Sequence, residues 1–201
     1  MGCGQFDIGL ARTHIGRLSV TGEAGFEISC RMGDHIALRQ MLLDAGADHG
    51  IAEYGFNALL SLRLEKSYGI WSAEFTQGYT PGMTGMDRWI DWSRDGFIGR
   101  EAAIAERDGN GPAKRLVTLD VAADGADASG FEPVWSNGNK IGFVTSGGYG
   151  HTVDKSLAMA LVDSDFATEG TNLDVHVVGI ERTATVIPAS PYDPSGAVMR
   201  R

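Results

Sequence analysis

After Pro112 the chain consists of short runs rich in Val, Ile and Thr, and most of these runs end at glycine-containing turns. This pattern is typical of β-strands joined by hairpins, and Asn137-Gly138 favours a tight hairpin because both residues tolerate positive φ. The run at 156–163 contains helix-forming residues, but its length and surroundings favour a strand. The predicted strands span 115–121, 139–147, 156–163, 172–178 and 181–189. We therefore predict a small β-barrel or sandwich over residues 113–201.

The first 112 residues combine strands with helices. Apolar and polar residues alternate in RLSVT at 17–21 and in FEISC at 26–30, which predicts two strands joined by the turn GEAG. Apolar residues at helical spacing predict one helix capped by Asp34, a second at about 56–68 and a third at about 100–107. The sequence therefore predicts an α+β fold, in which part of an α/β domain with an antiparallel sheet precedes the barrel.

The turn-rich segment DGNGP at 108–112 is the predicted boundary between these domains, so the first domain covers residues 1–112.

The charge balance argues against several classes of partner. Acidic residues outnumber basic ones by 26 to 17, and the net charge of -9 repels phosphate backbones and anionic lipid. No apolar run approaches the roughly 20 residues of a membrane span. The two cysteines, Cys3 and Cys30, form no redox or metal motif, and the chain begins without a basic, apolar leader. We expect a cytoplasmic protein with no nucleic-acid or membrane partner.

Common catalytic and metal-binding motifs are missing. None of the five histidines is spaced from another His, Cys or carboxylate as metal sites require, so we expect no metal. The run SGGYGH at 146–151 is not the glycine pattern of a dinucleotide site and favours a hairpin or loop. There is also no serine or cysteine nucleophile motif.

Glu27 and Ser29 are the best candidates for ligand contact. Strand alternation puts them on the polar face of the second predicted strand, opposite Phe26, Ile28 and Cys30. A carboxylate at this place can accept two parallel N–H bonds from the edge of a flat heterocycle. An ordinary exposed strand glutamate explains the same pattern, and the residues alone leave both interpretations open.

Aromatic residues gather in the irregular segment 71–92. Trp71, Tyr79, Trp89 and Trp92 can wall a pocket for a flat ligand, although as isolated residues they favour core and interdomain packing.

Several motifs in order along the chain resemble the aminomethyltransferase family, to which the glycine-cleavage T-protein belongs. The segment 19–28 is similar to the family's tight turn and strand, 55–71 to its next helix and 80–92 to its folate-side loop. The remaining matches are FIGREAA at 97–103, the barrel signature at 139–163 and VIPASPYDP at 186–194. The helix motif LRLEKSYGIW, with Leu59 where glycine-cleavage proteins have arginine, is more similar to the folate-binding C-terminal region of dimethylglycine and sarcosine dehydrogenases.

The resemblance implies a set of tetrahydrofolate contacts. Glu27 matches the glutamate that hydrogen-bonds the pterin ring, and Ser29 and Val20 match further residues lining the folate site. Arg88 stands where relatives have an aromatic contact, with Trp89 beside it. A guanidinium at that position can stack on a ring or pair with the glutamyl tail.

The resemblance covers only the C-terminal half of the family. The family's N-terminal half supplies an aspartate thought to position the folate amine, and Asp7 lies in an unrelated stretch that does not match it. We therefore expect weak folate binding and little turnover by this chain alone. We also expect self-association, because the first ~100 residues would expose a half-covered sheet.

The resemblance implies tetrahydrofolate-dependent transfer of an aminomethyl or methylene unit. The chain would be the C-terminal portion of an aminomethyltransferase-like protein or of a dimethylglycine or sarcosine dehydrogenase. Its partners would be folate, a methylated amine donor, and a flavoprotein dehydrogenase or the missing half. The main alternative is a non-catalytic folate-binding or structural module that docks on an amine dehydrogenase. A third hypothesis is a related folate-dependent demethylase.

Overall fold

The structure, a computed structural model, describes residues 2–200. The chain forms two compact units, one made of residues 2–62 with 195–200 and the other of residues 63–194. This division follows the density of contacts and does not test the domain boundary at Pro112, which stays a prediction.

The first unit contains a three-stranded antiparallel sheet in the order β1-β2-β3. Its strands are β1 (Cys3–Ile8), β2 (Ala11–Arg17) and β3 (Phe26–Cys30). β1 has no counterpart among the predicted strands, because CGQFDI lacks a run of β-branched residues. β3 was predicted correctly, and its register pairs Glu27 with Gly16 and Ser29 with His14 of β2.

The strand predicted at 17–21 is wrong, because β2 ends at Arg17. The backbone N–H of Gly22 donates to Ser19 Oγ at 2.8 Å, which folds the segment into a turn. A Cβ on Gly25 would lie 2.9 Å from the carbonyl oxygen of Leu18, so the two ends of this turn approach closely. Leu18 to Thr21 therefore form part of a loop, although apolar and polar residues alternate in RLSVT.

Helix α1 (His35–Gly46) follows β3 and lies against the sheet. A Cβ on Gly9 would lie 2.5 Å from Met41 Sδ, which places the helix beside the turn between β1 and β2. Asp34 precedes the helix as predicted, but its side chain makes no capping hydrogen bond because its backbone is already helical. The second predicted helix is α2 (Phe56–Glu65), which ends three residues earlier than expected.

The second unit begins with the end of α2 and contains two more helices and a barrel. The helices are α3 (Pro81–Thr84) and α4 (Arg100–Asp108). The strands are β4 (Lys114–Val121), β5 (Pro133–Ser136), β6 (Asn139–Gly150), β7 (Lys155–Asp163), β8 (Asn172–Val177) and β9 (Ile180–Ile187). All five predicted strands of this part are confirmed, and β5 was missed because it has only four residues.

The six strands close into an antiparallel barrel in the order β4-β7-β6-β5-β8-β9. Asn137 and Gly138 have φ of 50° and 75° in the hairpin between β5 and β6, as the sequence predicted. Most of β7 is buried on both faces: Ala158, Ala160 and Val162 belong to the barrel core, while Leu157 and Met159 pack with Leu64 of α2. The predicted α+β class is confirmed, and of the two architectures considered for the second half the barrel is correct.

Gly142 provides a sharp test of the barrel packing. A Cβ at this position would lie 2.1 Å from the carbonyl oxygen of Leu161 on β7, so the two strands would have to separate. We expect Gly142→Ala to lower the free energy of unfolding by about 1–3 kcal/mol, in the range of overpacked cores. Gly78→Ala is the control, because its Cβ would meet only Thr76 Oγ1 at 3.7 Å. Equal denaturation curves for the two variants would contradict the packing.

The face of the sheet opposite Glu27 is only partly covered. Ile28 is half-buried, but Phe26 is 67% exposed and Phe6 54%, so the prediction that this face is core is wrong at Phe26. These side chains and Ile15 line an open apolar cavity of about 580 Å³.

An exposed apolar cavity of this kind is expected to promote association of two copies. We expect Phe26→Ser to reduce the apparent mass in light scattering at high protein concentration. The control is Phe131→Ser, since Phe131 is 88% exposed and lies on the other unit. A monomeric parent protein, or equal effects of both substitutions, would show that this face does not drive association.

Candidate functional site

The sheet face that carries Glu27 is polar and locally flat. Glu27 and Ser29 are both exposed on β3, as the alternation predicted. Gly16 stands opposite Glu27 on β2 and has no atom within 4 Å of the place where its Cβ would be. No side chain therefore rises from Gly16 beside the Glu27 carboxylate, which leaves room for a flat group.

The Glu27 carboxylate keeps its full capacity to accept hydrogen bonds. Within residues 2–200 it makes no hydrogen bond or ion pair. By contrast, another carboxylate on the same sheet face, Asp7, is ion-paired with Arg12. Of these two acids, Glu27 is the one that can accept N–H bonds from a ligand without first breaking an ion pair.

The other residues predicted for folate binding lie in two different places. Val20 is 42% exposed and lies in the turn before β3, not on a strand. Arg88 and Trp89 form a 3-10 turn after α3 in the second unit, where the Arg88 guanidinium lies 5.6 Å from the centre of the Trp89 ring. The five assignments remain predictions.

The predicted residues of the first unit and those of the second differ in whether they line a cavity. Glu27, Ser29 and Val20 are exposed, and they line none of the five best-formed cavities within residues 2–200. Arg88 lines a cavity of about 260 Å³ beside the barrel.

The aromatic residues of 71–92 do not form a core. Trp71 is 84% exposed and Trp89 is 72% exposed. The prediction that these two tryptophans pack in a core is therefore wrong. Trp92 stacks under the Arg107 guanidinium at 4.3 Å and lines a cavity of only about 100 Å³. Exposed tryptophans are available for contact with a flat ligand or another chain.

A buried ionic cluster that the sequence did not reveal holds the second unit together. Glu74 is fully buried and accepts hydrogen bonds from Ser146 Oγ at 2.5 Å and from the Ile70 N–H at 2.9 Å. The Arg63 guanidinium lies 3.5 Å from the same carboxylate and also donates to the carbonyl oxygen of Tyr68. Burial lowers the pKa of Arg63, and the charge of Glu74 opposes that shift.

Two further charged residues of the RLEKSYG segment are also buried. The Glu65 carboxylate accepts from the N–H groups of Thr152 at 2.5 Å and Val153 at 3.2 Å, which ties α2 to the turn between β6 and β7. Lys66 Nζ donates to the carbonyl oxygens of Tyr192 and Asp193 at 3.0 and 2.7 Å. Four consecutive buried positions, 63–66, with charge at three of them indicate a structural junction rather than a solvated helix end.

Residues 2–200 contain neither a metal-binding cluster nor a membrane-spanning helix. No group of three or more His, Cys, Asp or Glu side chains in that range could hold a metal ion. No helix in the same range is long and apolar enough to cross a membrane.

Two family models match most of the sequence. Residues 1–94 match the GCVT N-terminal domain, and residues 114–193 match the glycine cleavage T-protein C-terminal barrel domain. The second match coincides with the closed barrel. This chain belongs to the aminomethyltransferase family.

Similar proteins agree with this membership. The chain is 36% identical to dimethylglycine dehydrogenase of Rattus norvegicus over 85% of its own length and 20% of that protein. It is 32% identical to the aminomethyltransferase of Geobacillus sp. (strain WCH70) over 89% of its own length and 48% of that protein.

A solved structure of the glycine cleavage system aminomethyltransferase T from Bartonella henselae has the same fold. The TM-score is 0.81 with 28% identity, over 90% of this chain and 50% of that one. The chain therefore spans about half the length of the aminomethyltransferases that it matches.

Removing the buried negative charge at Glu74 should destabilise the second unit. We expect Glu74→Gln to cost about 3–5 kcal/mol of unfolding free energy, because it leaves the buried Arg63 cation uncompensated. The matched control is Glu53→Gln, which breaks the exposed Arg39–Glu53 pair and should cost less than about 1 kcal/mol. Chemical denaturation followed by far-ultraviolet circular dichroism, which reports both units, measures both values. Similar costs for the two variants would refute the structural role of Glu74.

Proposed function

We propose that the chain serves in the transfer of a one-carbon unit to tetrahydrofolate. Membership of the aminomethyltransferase family supports this function. The observation that carries the proposal is the unpaired carboxylate of Glu27 on an open sheet face beside Gly16.

Glu27 would orient the pterin ring. A carboxylate accepts two parallel N–H bonds from neighbouring donors on a heterocycle edge, and the paired geometry fixes the ring plane as well as its position. Gly16 leaves space for the ring to lie close to the strands. Ser29, two residues along the same face, adds a hydroxyl that can both donate and accept, and Val20 adds an apolar contact from the preceding turn.

On the second unit, Arg88 and Trp89 are a further proposed surface for folate contact. Their guanidinium and indole rings already lie 5.6 Å apart, so they form a flat cationic surface suited to an aromatic ring or to the glutamyl carboxylates. Arginine in place of an aromatic residue would shift recognition at this position from stacking alone toward charge.

The chemistry itself requires little from the protein beyond positioning. N5 and N10 of tetrahydrofolate form two bonds to the carbon of an iminium ion, the carbon–nitrogen bond to the amine breaks, and the two folate protons leave with the amine. The product is methylenetetrahydrofolate. Contact between pterin and iminium away from water accounts for most of the rate, because a free iminium hydrolyses to formaldehyde.

The donor in this proposal is a methylated amine, and its iminium would come from a flavoprotein dehydrogenase. The similarity to a protein named dimethylglycine dehydrogenase supports this choice. The chain's share of the relatives' length makes a second polypeptide, or the other half of a longer one, a natural partner in the reaction. A cytoplasmic location belongs to the same proposal.

A second candidate function is folate binding without catalysis. The position of Glu27 favours it, because the one acid assigned to the proposed pterin face would be occupied by the pterin and could not also transfer protons. Such a module would hold folate beside an amine dehydrogenase and leave proton transfer to its partner.

Calorimetry with tetrahydrofolate tests the role of Glu27. We expect Glu27→Gln to weaken binding roughly 10- to 100-fold, as loss of a charge-assisted hydrogen-bond pair implies. Glu101→Gln is the control, because Glu101 is exposed on α4, outside the proposed site. Equal affinities for Glu27→Gln and the parent protein would remove the pterin assignment.

Formaldehyde trapping then separates transfer from binding. With an amine dehydrogenase supplying iminium, one-carbon transfer predicts that the chain and folate together lower the trapped formaldehyde. Folate binding without this decrease would favour the non-catalytic module.

A further inference from the structure

A cavity of about 260 Å³ beside the barrel has the features of a small ligand site. Its apolar wall comes from β4, β7 and β9, and the loop after α3 provides the opposite side. The apolar side chains are Leu116, Val117, Met159, Val186 and Ile187. The charged side chains that line it are Arg88 and Glu169.

The oppositely charged side chains of Arg88 and Glu169 line the same cavity but form no ion pair with each other. No ion pair joins Arg88 to Glu169 within the 4.0 Å that defines one, although they have opposite sign. Within residues 2–200 neither side chain makes a hydrogen bond or an ion pair, and the recorded contact of Arg88 is with the Trp89 ring. Both side chains line the cavity and are exposed, so they are available to a ligand that presents an anion to Arg88 and a cation to Glu169.

The hydroxyl groups of the cavity wall already have partners. Ser67 Oγ is hydrogen-bonded to Thr118 Oγ1 at 2.7 Å and accepts from the Ser190 N–H at 2.9 Å. Thr84 Oγ1 donates to the carbonyl oxygen of Thr80 at 3.3 Å. Polar recognition in this cavity thus depends mainly on the two charged groups.

Charge and size together select a class of ligand. A simple anion would be repelled by Glu169 and a simple cation by Arg88, whereas a molecule carrying both charges a few bonds apart satisfies both. The volume suits a ligand of few heavy atoms, and the apolar wall suits a short aliphatic side chain.

We propose that this cavity binds a small α-amino acid in its zwitterionic form, with the carboxylate at Arg88 and the ammonium at Glu169. The site shares Arg88 with the proposed folate contacts but uses no residue of the pterin face around Glu27, which lies in the other unit. It can therefore be tested in the absence of folate.

Alanine and two singly charged analogues test the site directly. Propionate lacks the ammonium group of alanine, and ethylamine lacks its carboxylate. In chemical-shift titrations of the ¹⁵N-labelled chain, we expect alanine to bind about three- to tenfold more tightly than either analogue, the gain of one additional charge-assisted contact. Shifts should centre on residues lining the cavity.

Substitutions assign each charge to its partner. Glu169→Gln should abolish the preference for alanine over propionate and retain that over ethylamine, while Arg88→Gln should do the reverse. Asp165→Asn is the control, because Asp165 is an exposed carboxylate close in sequence that does not line the cavity.

Three results would overturn the proposal. They are equal binding of alanine and propionate by the parent chain, no loss of preference in Glu169→Gln, and no cavity shifts at alanine concentrations up to about 50 mM. Loss of folate binding in Glu27→Gln leaves this result unchanged, so failure of the two proposals can be told apart.

Discussion

The buried carboxylate of Glu74 is the contact on which the second unit depends. A charge removed from water must be matched by donors, and Glu74 receives them from Arg63, the Ile70 N–H and Ser146. These donors come from the end of α2, the following loop and barrel strand β6. Satisfying one charge therefore ties the end of α2 and the loop after it to a barrel strand 72 residues away from Glu74, and Glu65 makes a similar connection to the turn after β6.

Four carboxylates of this chain illustrate two opposite physical environments. Glu65 and Glu74 are buried and fully supplied with donors, so they stabilise the fold and cannot serve a ligand. Glu27 and Glu169 are exposed and unpaired within the described residues 2–200, so their hydrogen-bonding capacity is available. Proposed recognition rests on the second class, with Glu27 for a flat heterocycle and Glu169 for an ammonium group.

Local patterns predicted the fold well where neighbouring residues determine the structure. The Asn137-Gly138 hairpin and strand β3 follow directly from turn chemistry and alternation. RLSVT failed because a serine–backbone hydrogen bond favours a turn over the alternating pattern. Glu74 could not be found from sequence, because its partner Ser146 is 72 residues away and only the fold brings them together. The exposure of Phe26 likewise depends on what packs against the sheet.

Titration of the ¹⁵N-labelled chain with tetrahydrofolate shows whether the pterin binds at Glu27, since the amide spectrum reports where the ligand lies. We expect the largest shifts at Gly16, Glu27 and Ser29, on the two strands that form the polar face. Largest shifts within the barrel strands of 114–187, or a spectrum unchanged by saturating folate, would contradict this expectation.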